Sequence, residues 1–388
     1  MRIVHVTPYY LPAIRYGGPV RSVHALAAGA AALGHEVHVF TTDANGPNRL
    51  NVTEGQPVVL DGVYVHYFKL NWMSRFFYAP KMAAALAKAM GGTDMVHLHT
   101  VFLWPTLAAA RIAAAHGVPY VLSPRGMLVK ELVRKRSRLA KSAWITFFER
   151  RTIERAAAIN VSSSTERAQL SAFDFHLPPV FQLSNGVGDP EPYAETAVSA
   201  DVRAAVDSGN YVMFLGRLGW EKNLASLVRA MVHVPHIRLI IAGFDERGQA
   251  AALVSLIDEL KLQTRISLLA RDIEGADKEH LFARATLFCL PSFHENFGNV
   301  VLEAMMRGIP TLVGTDVGAA DAVRAAGAGR VCDVTPAALA EALNQILANS
   351  QLLIEMGGKG RVAAERDYGW RSVAARSIDE YKSLVNTT

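Results

Sequence analysis

The feature that most restricts the fold of this chain is the regular return of short apolar runs, each followed by a segment with helical periodicity. In the first half the runs fall at 2–7, 36–42, 63–69, 95–99, 119–123, 157–162 and 179–183, with helical stretches such as 18–33 and 103–116 between them. The rhythm resumes at 211–216, 237–242, 265–269, 286–291, 310–314 and 330–333. Apolar strands separated by helices predict parallel sheets covered on both faces. Two such series in 388 residues predict two doubly wound α/β domains. Between them, 186–209 carries Gly, Pro and acidic residues without a strand pattern and reads as the interdomain link. The expected division is 1–188 and 189–370, with a last helix at about 371–388 that no strand follows and that packs back on the first domain.

Composition excludes several classes. Hydrophobic residues make up 51% and charged residues 19%, a globular balance. No twenty-residue apolar run is free of charge, so no transmembrane helix is expected. The opening MRIVHVTPYY alternates like a strand and lacks the apolar segment of a signal peptide. Cys289 and Cys332 sit in apolar runs and read as reduced thiols, which suits the cytoplasm. The net charge of +5 is local: residues 125–155 hold ten Lys or Arg against three acids, +7, which leaves −2 for the rest. A confined basic segment points to a specific anionic surface rather than to nucleic acid. Within it, Arg134, Lys135 and Arg136 are followed by Trp144 and the Ile-Thr-Phe-Phe run, a mixture suited to an anionic bilayer or a lipid-linked phosphate, or to a solvated helix packing on its own domain.

Ligands of open α/β sheets bind beyond the carboxyl ends of the strands. The first such loop, TPYYLPAIRYGGPVRSV, places Gly17-Gly18 at a helix start, where backbone N–H groups can hold a phosphate or approach a sugar. No G-x-G-x-x-G follows a strand and no G-x-x-x-x-G-K-[ST] occurs, which argues against a nicotinamide or P-loop enzyme. The run VHLHT puts His99 at a strand end, and SPRGML presents Arg125 after the next strand. No spacing suits a structural zinc, so no metal is expected. In the second half FLGRLGWEKN brackets a turn with Arg217 and Lys222, two cations able to neutralise a departing diphosphate. The stretch HENFGNVVLE puts Glu295 in a strand-end loop and Glu303 inside the helix that starts near Gly298. Free N–H groups at that start suit phosphate, while carboxylates accept hydrogen bonds from sugar hydroxyls. A diphosphate with a sugar at each end, a nucleotide sugar, fits the set.

Taken in order, these motifs resemble the retaining glycosyltransferases of family 4, which have the GT-B fold. The resemblance spans Gly17-Gly18, His99, LSNGV at 183–187, Arg217, Lys222, and the E-x7-E pair followed by EAMMRGIPTLVG. SPRGML and its basic continuation resemble a subgroup that builds bacterial surface polysaccharides. The resemblance implies two Rossmann-like domains facing a central cleft, the first for the acceptor and the second for the donor. It implies that Glu295 contacts the transferred sugar, that the amides of Phe297, Gly298 and Asn299 bind sugar and phosphate, and that Glu303 binds the ribose. Arg217 and Lys222 would stabilise the leaving nucleoside diphosphate, with His99 near the reacting sugar and Gly18 near the phosphate. Gly318-Ala319-Ala320-Asp321 departs from the family's Gly-Gly-x-x-Glu stretch, which leaves that loop's contacts open. The expected reaction moves a hexose from GDP-mannose or a UDP-hexose to a polyprenyl-diphosphate-linked saccharide at the cytoplasmic face of the inner membrane, without cofactor or metal. A small soluble acceptor, or a nucleotide-sugar epimerase of the same fold, is the alternative.

Overall fold

The computed structural model describes residues 1–71, 73–129, 148–245 and 248–387. The chain forms two compact units, Met1–Gly186 with Trp370–Thr388, and Val187–Gly369.

The first unit is built on β1 (Arg2–Val6), β2 (Glu36–Thr42), β5 (Val58–Leu60), β6 (Val63–Phe68), β7 (Met95–His99), β8 (Tyr120–Ser123), β9 (Ala158–Val161) and β10 (Val180–Gln182); a two-residue hairpin, β3 (Ala44–Asn45) and β4 (Asn48–Arg49), stands apart. The sheet order is β10-β9-β8-β7-β1-β2-β6-β5. Every pairing is parallel except β5 with β6. The strand β5 was not foreseen: three half-exposed residues beside a turn carry no readable alternation. Strand order reverses between β1 and β7, so the carboxyl ends of these two strands form a topological switch point. The helix Trp370–Thr387 belongs to this unit and buries Val373, Ala374, Ile378 and Tyr381 against it.

The second unit holds β11 (Tyr211–Leu215), β12 (Arg238–Ala242), β13 (Ile266–Leu269), β14 (Leu287–Leu290), β15 (Thr311–Gly314) and β16 (Gly329–Cys332). All are parallel, in the order β13-β12-β11-β14-β15-β16. Strands β11 and β14 are buried at every residue, which is why they read as unbroken apolar runs. Here the switch point lies between β11 and β14. The stretch expected to be wholly a link is shorter than predicted. Its second part forms the helix Ala200–Asp207, whose Val202, Ala205 and Val206 enter the core, while Ser199 bonds through N–H and hydroxyl to the Asp277 carboxylate. The i, i+3, i+4 spacing of those apolar residues carries that signal, beneath the Gly, Pro and acidic residues around it.

Candidate functional site

In the first unit, β1 and β7 pair in a register that sets His5 beside His97. With His99 two residues on, three imidazoles gather, their ring centres 4.1 to 5.3 Å apart. His97 bonds to the Tyr381 hydroxyl at 2.6 Å and to the Ser123 hydroxyl at 2.7 Å. His99 Nδ1 meets an Arg125 guanidinium nitrogen at 3.3 Å, and His99 Nε2 meets His5 Nδ1 at 2.9 Å. A guanidinium can only donate, so it fixes the tautomers. His99 accepts at Nδ1, carries its proton on Nε2 and donates to His5 Nδ1. His5 then carries its proton on Nε2, a buried atom without a partner among the described residues. Burial first, and the Arg125 charge second, hold the His5 pKa down to about 3. Burial is also the main reason that His97 and His99 lie well below the usual imidazole range.

His5 was missed by sequence reasoning, because only strand pairing brings residue 5 to residues 97 and 99. The three rings offer nitrogens within 4.8 Å of one another, close enough to hold a metal ion. The donor chemistry fits poorly. Five of the six ring nitrogens already have hydrogen-bond partners, and the adjacent guanidinium repels a dication.

The loops at these strand ends are strained. Thr100, Phe102 and Arg125 have φ of 77°, 65° and 56°, a left-handed region that costs roughly 1–2 kcal/mol for a residue with a side chain. Arg125 also donates to Asn185 Oδ1 at 2.7 Å. Glu166 holds the same loop by accepting the Gly126 N–H at 2.6 Å. Gly17, at φ 80°, precedes the helix Gly18–Ala32, which has Pro19 in its first turn. Arg134, Lys135, Arg136 and Trp144 lie outside the described residues. The described end of the basic stretch is elsewhere: Arg151 and Arg155 line a cavity of about 290 Å³ with Arg111, Tyr120 and Phe148, beside the amino ends of β8 and β9.

In the second unit the loops after β11, β14 and β15 are stitched together. Phe293 N–H bonds to Glu221 O at 2.9 Å, Glu295 N–H to Asp316 O at 3.1 Å, and Gly318 N–H to Glu295 O at 3.0 Å. A Cβ on Gly318 would stand 2.0 Å from Asn296 O, so only glycine allows this approach. Lys222 ends a short 3-10 turn, Trp220–Lys222, and its ammonium pairs with the Glu295 carboxylate. Arg217 is more open, its guanidinium 3.9 Å from Glu221. Gly298 takes φ 86° and begins the helix Asn299–Met306 one residue later than its own position. Among the described residues the N–H groups of Phe297 and Gly298 meet no acceptor. Glu303, in the second turn of that helix, pairs with Lys278 at 2.8 Å. Sequence reading placed Lys222, Glu295, Phe297, Gly298, Asn299 and Glu303 but found neither ion pair, since each joins separate loops or helices.

Two doubly wound parallel sheets, each with polar groups at its switch point, define the architecture of the GT-B glycosyltransferases. Two family models fit the chain: a glycosyl transferase 4-like domain over residues 17–186 and glycosyl transferases group 1 over residues 199–362. The chain belongs to these glycosyltransferases. It is 25% identical to an uncharacterized glycosyltransferase of Methanocaldococcus jannaschii across 98% of both chains. It is 27% identical to the GDP-mannose:cellobiosyl-diphosphopolyprenol alpha-mannosyltransferase of Xanthomonas campestris, over 81% of this chain and 79% of the other. Among solved structures it resembles Anabaena HepE in complex with UDP and glucose, at 18% identity and a TM-score of 0.73 over 99% of this chain and 100% of that one.

Proposed function

We propose that this glycosyltransferase moves a hexose, with retention, from a nucleoside diphosphate sugar to a hydroxyl of a saccharide linked to a lipid diphosphate. The carrying observation is the second unit's arrangement: Lys222 and Glu295 paired beside a helix start with unused N–H groups, and Glu303 on the same helix. The ammonium and Arg217 meet the diphosphate, the free amides meet phosphate and transferred sugar, and the carboxylates take hydroxyls of the hexose and the ribose. The bond between the anomeric carbon and the diphosphate oxygen breaks. A bond to the acceptor oxygen forms on the same face, and the acceptor proton passes to the departing diphosphate. No protein carboxylate serves as nucleophile, and the residues act by position and charge. No bound metal or cofactor takes part in this scheme.

The Xanthomonas relative, a GDP-mannose-dependent enzyme acting on a diphosphopolyprenol-linked saccharide, supports a GDP-linked donor and a polyprenol diphosphate acceptor, as expected for surface-polysaccharide assembly at the inner membrane; a UDP-hexose is the other donor we keep, in line with the UDP complexes of HepE. No helix among the described residues is long and apolar enough to cross a membrane, and the proposal is peripheral attachment. A thermal-shift panel of nucleoside diphosphates tests the donor site. Ligand at 100 times its Kd stabilises by about 2.7 kcal/mol, so the correct base stands out. A flat response across UDP, GDP and ADP overturns the reading. Donor supplied alone is then incubated with enzyme; epimerised donor in the product spectrum identifies the alternative reaction.

A further inference from the structure

We propose that Arg125 is the specificity determinant for a phosphate-bearing acceptor, its guanidinium receiving a phosphate oxygen at the carboxyl ends of β7 and β8. This rests on the transferase reading above and specifies which chemical group of the second substrate is recognised.

A guanidinium withdrawn from water needs either a countercharge or a full set of acceptors. Two other arginines withdrawn from water illustrate this. Arg307 pairs with Glu279, and Arg265 donates to the carbonyls of Met231, Val234 and Ile237. Arg125 has neither. It donates to two neutral groups, His99 Nδ1 and Asn185 Oδ1. Among the described residues its buried Nε has no partner and no carboxylate lies within ion-pair distance. The acid whose field it feels most, Glu166, is committed elsewhere: one oxygen accepts Gly126 N–H, the other accepts the N–H and hydroxyl of Ser162. Burial lowers the guanidinium pKa, and Glu166 only partly restores it.

The cation is also held still. His99 and Asn185 grip it from two sides, and the left-handed backbone at residue 125 sets its direction. His99 is in turn fixed by His5. These neutral rings fix direction without cancelling charge, so a preorganised cation with unused N–H donors is left at the strand ends. A phosphate supplies both the charge and the acceptors, in a geometry that matches the planar fork. His99 and Asn185 are then positioning residues for Arg125.

The experiment uses the full chain saturated with the nucleoside diphosphate that stabilises it most, so that the donor site is filled. Calorimetric titrations follow with methyl phosphate in solution, and with dodecyl phosphate carried in phosphatidylcholine vesicles. Arg125→Gln is expected to weaken binding roughly tenfold or more, and Arg125→Lys less, because a point charge replaces the fork. Binding of methyl phosphate assigns a soluble phosphosugar; binding of the vesicle-borne ester alone assigns a lipid carrier. Either supports the proposal when it depends on Arg125. Equal affinities in wild type and Arg125→Gln, or no binding in either arm, overturns it. Should Arg125→Gln unfold, Asn185→Ala removes one anchor only and is expected to weaken binding about threefold to tenfold. If no nucleoside diphosphate stabilises the wild type, the donor reading fails, while titration of the unsaturated protein still reports on Arg125.

Discussion

Removing Lys222 separates the ion pair that its ammonium makes with Glu295 from the diphosphate contact that we propose for it. Its side chain is 11% exposed and that of its partner Glu295 22%. Loss of one member of a buried pair costs about 3–5 kcal/mol, and an exposed pair is worth about 0–1 kcal/mol. This half-enclosed pair lies between, so Lys222→Ala is expected to cost about 1–3 kcal/mol of stability in the second unit, read as a lower urea midpoint. Loss of a cation from a departing diphosphate costs a further 2–4 kcal/mol of transition-state stabilisation, or roughly 30- to 1,000-fold in turnover. A double-mutant cycle with Glu295→Gln distinguishes the contributions. If Lys222 serves only to orient Glu295, the double variant is no slower than Glu295→Gln alone. If Lys222 also meets the diphosphate, the double variant keeps most of the Lys222→Ala loss, which is the expected outcome. The assay is the initial rate of nucleoside diphosphate release with the donor that the thermal-shift panel identifies. Equal rates for the double variant and Glu295→Gln refute the charge-stabilising role, and near wild-type turnover for Lys222→Ala removes the residue from the mechanism.

Other outcomes follow from the same geometry. Gly298→Ala forces φ 86° on a residue with a Cβ and brings that atom to 3.0 Å from Leu290 Cδ2 and 3.2 Å from Glu295 Cγ; a loss of about 1–2 kcal/mol in stability and weaker nucleotide binding are expected by thermal shift and calorimetry. Glu303→Ala is expected to weaken the bare nucleoside diphosphate, whereas Glu295→Ala disturbs chiefly the sugar-bearing donor; unchanged calorimetric affinity for the bare nucleotide in Glu303→Ala contradicts this division. Tyr381→Phe leaves His97 Nδ1 without the hydroxyl that bonds it at 2.6 Å, and about 1–3 kcal/mol of stability should be lost in urea titration. Burial holds the His5 pKa at about 3 in the folded chain, against 6.5 for an ordinary imidazole. The unfolded state therefore binds more protons between these values. Stability from this group is complete above about pH 6.5 and falls with acidification toward about pH 3, at no more than about 1.4 kcal/mol per pH unit. His5→Asn should flatten that slope in urea midpoints measured across the range.

What the sequence disclosed and what it withheld differ by range of interaction. Strands such as β11 and β14 were legible because burial on both faces writes a continuous apolar run into consecutive residues. Glu295, Gly298 and Glu303 were legible for the same reason, since one loop and the helix after it hold them all. Their cations were not. Lys278 reaches Glu303 from the helix Gly275–Ala283, and Lys222 reaches Glu295 from the loop after another strand. His5 is the sharper case. As a lone histidine in an apolar strand it reads as core. Only the β1–β7 register makes it the far end of a chain of neutral rings that terminates at Arg125. Arg125 itself was visible as a strand-end cation, but its significance lies in what surrounds it. Had a carboxylate stood where His99 or Asn185 stands, the same arginine would be a structural ion pair with no charge left for a ligand. The neutrality of those neighbours, an amide and an imidazole kept uncharged by burial, is what leaves this enclosed guanidinium with charge for the ligand we propose.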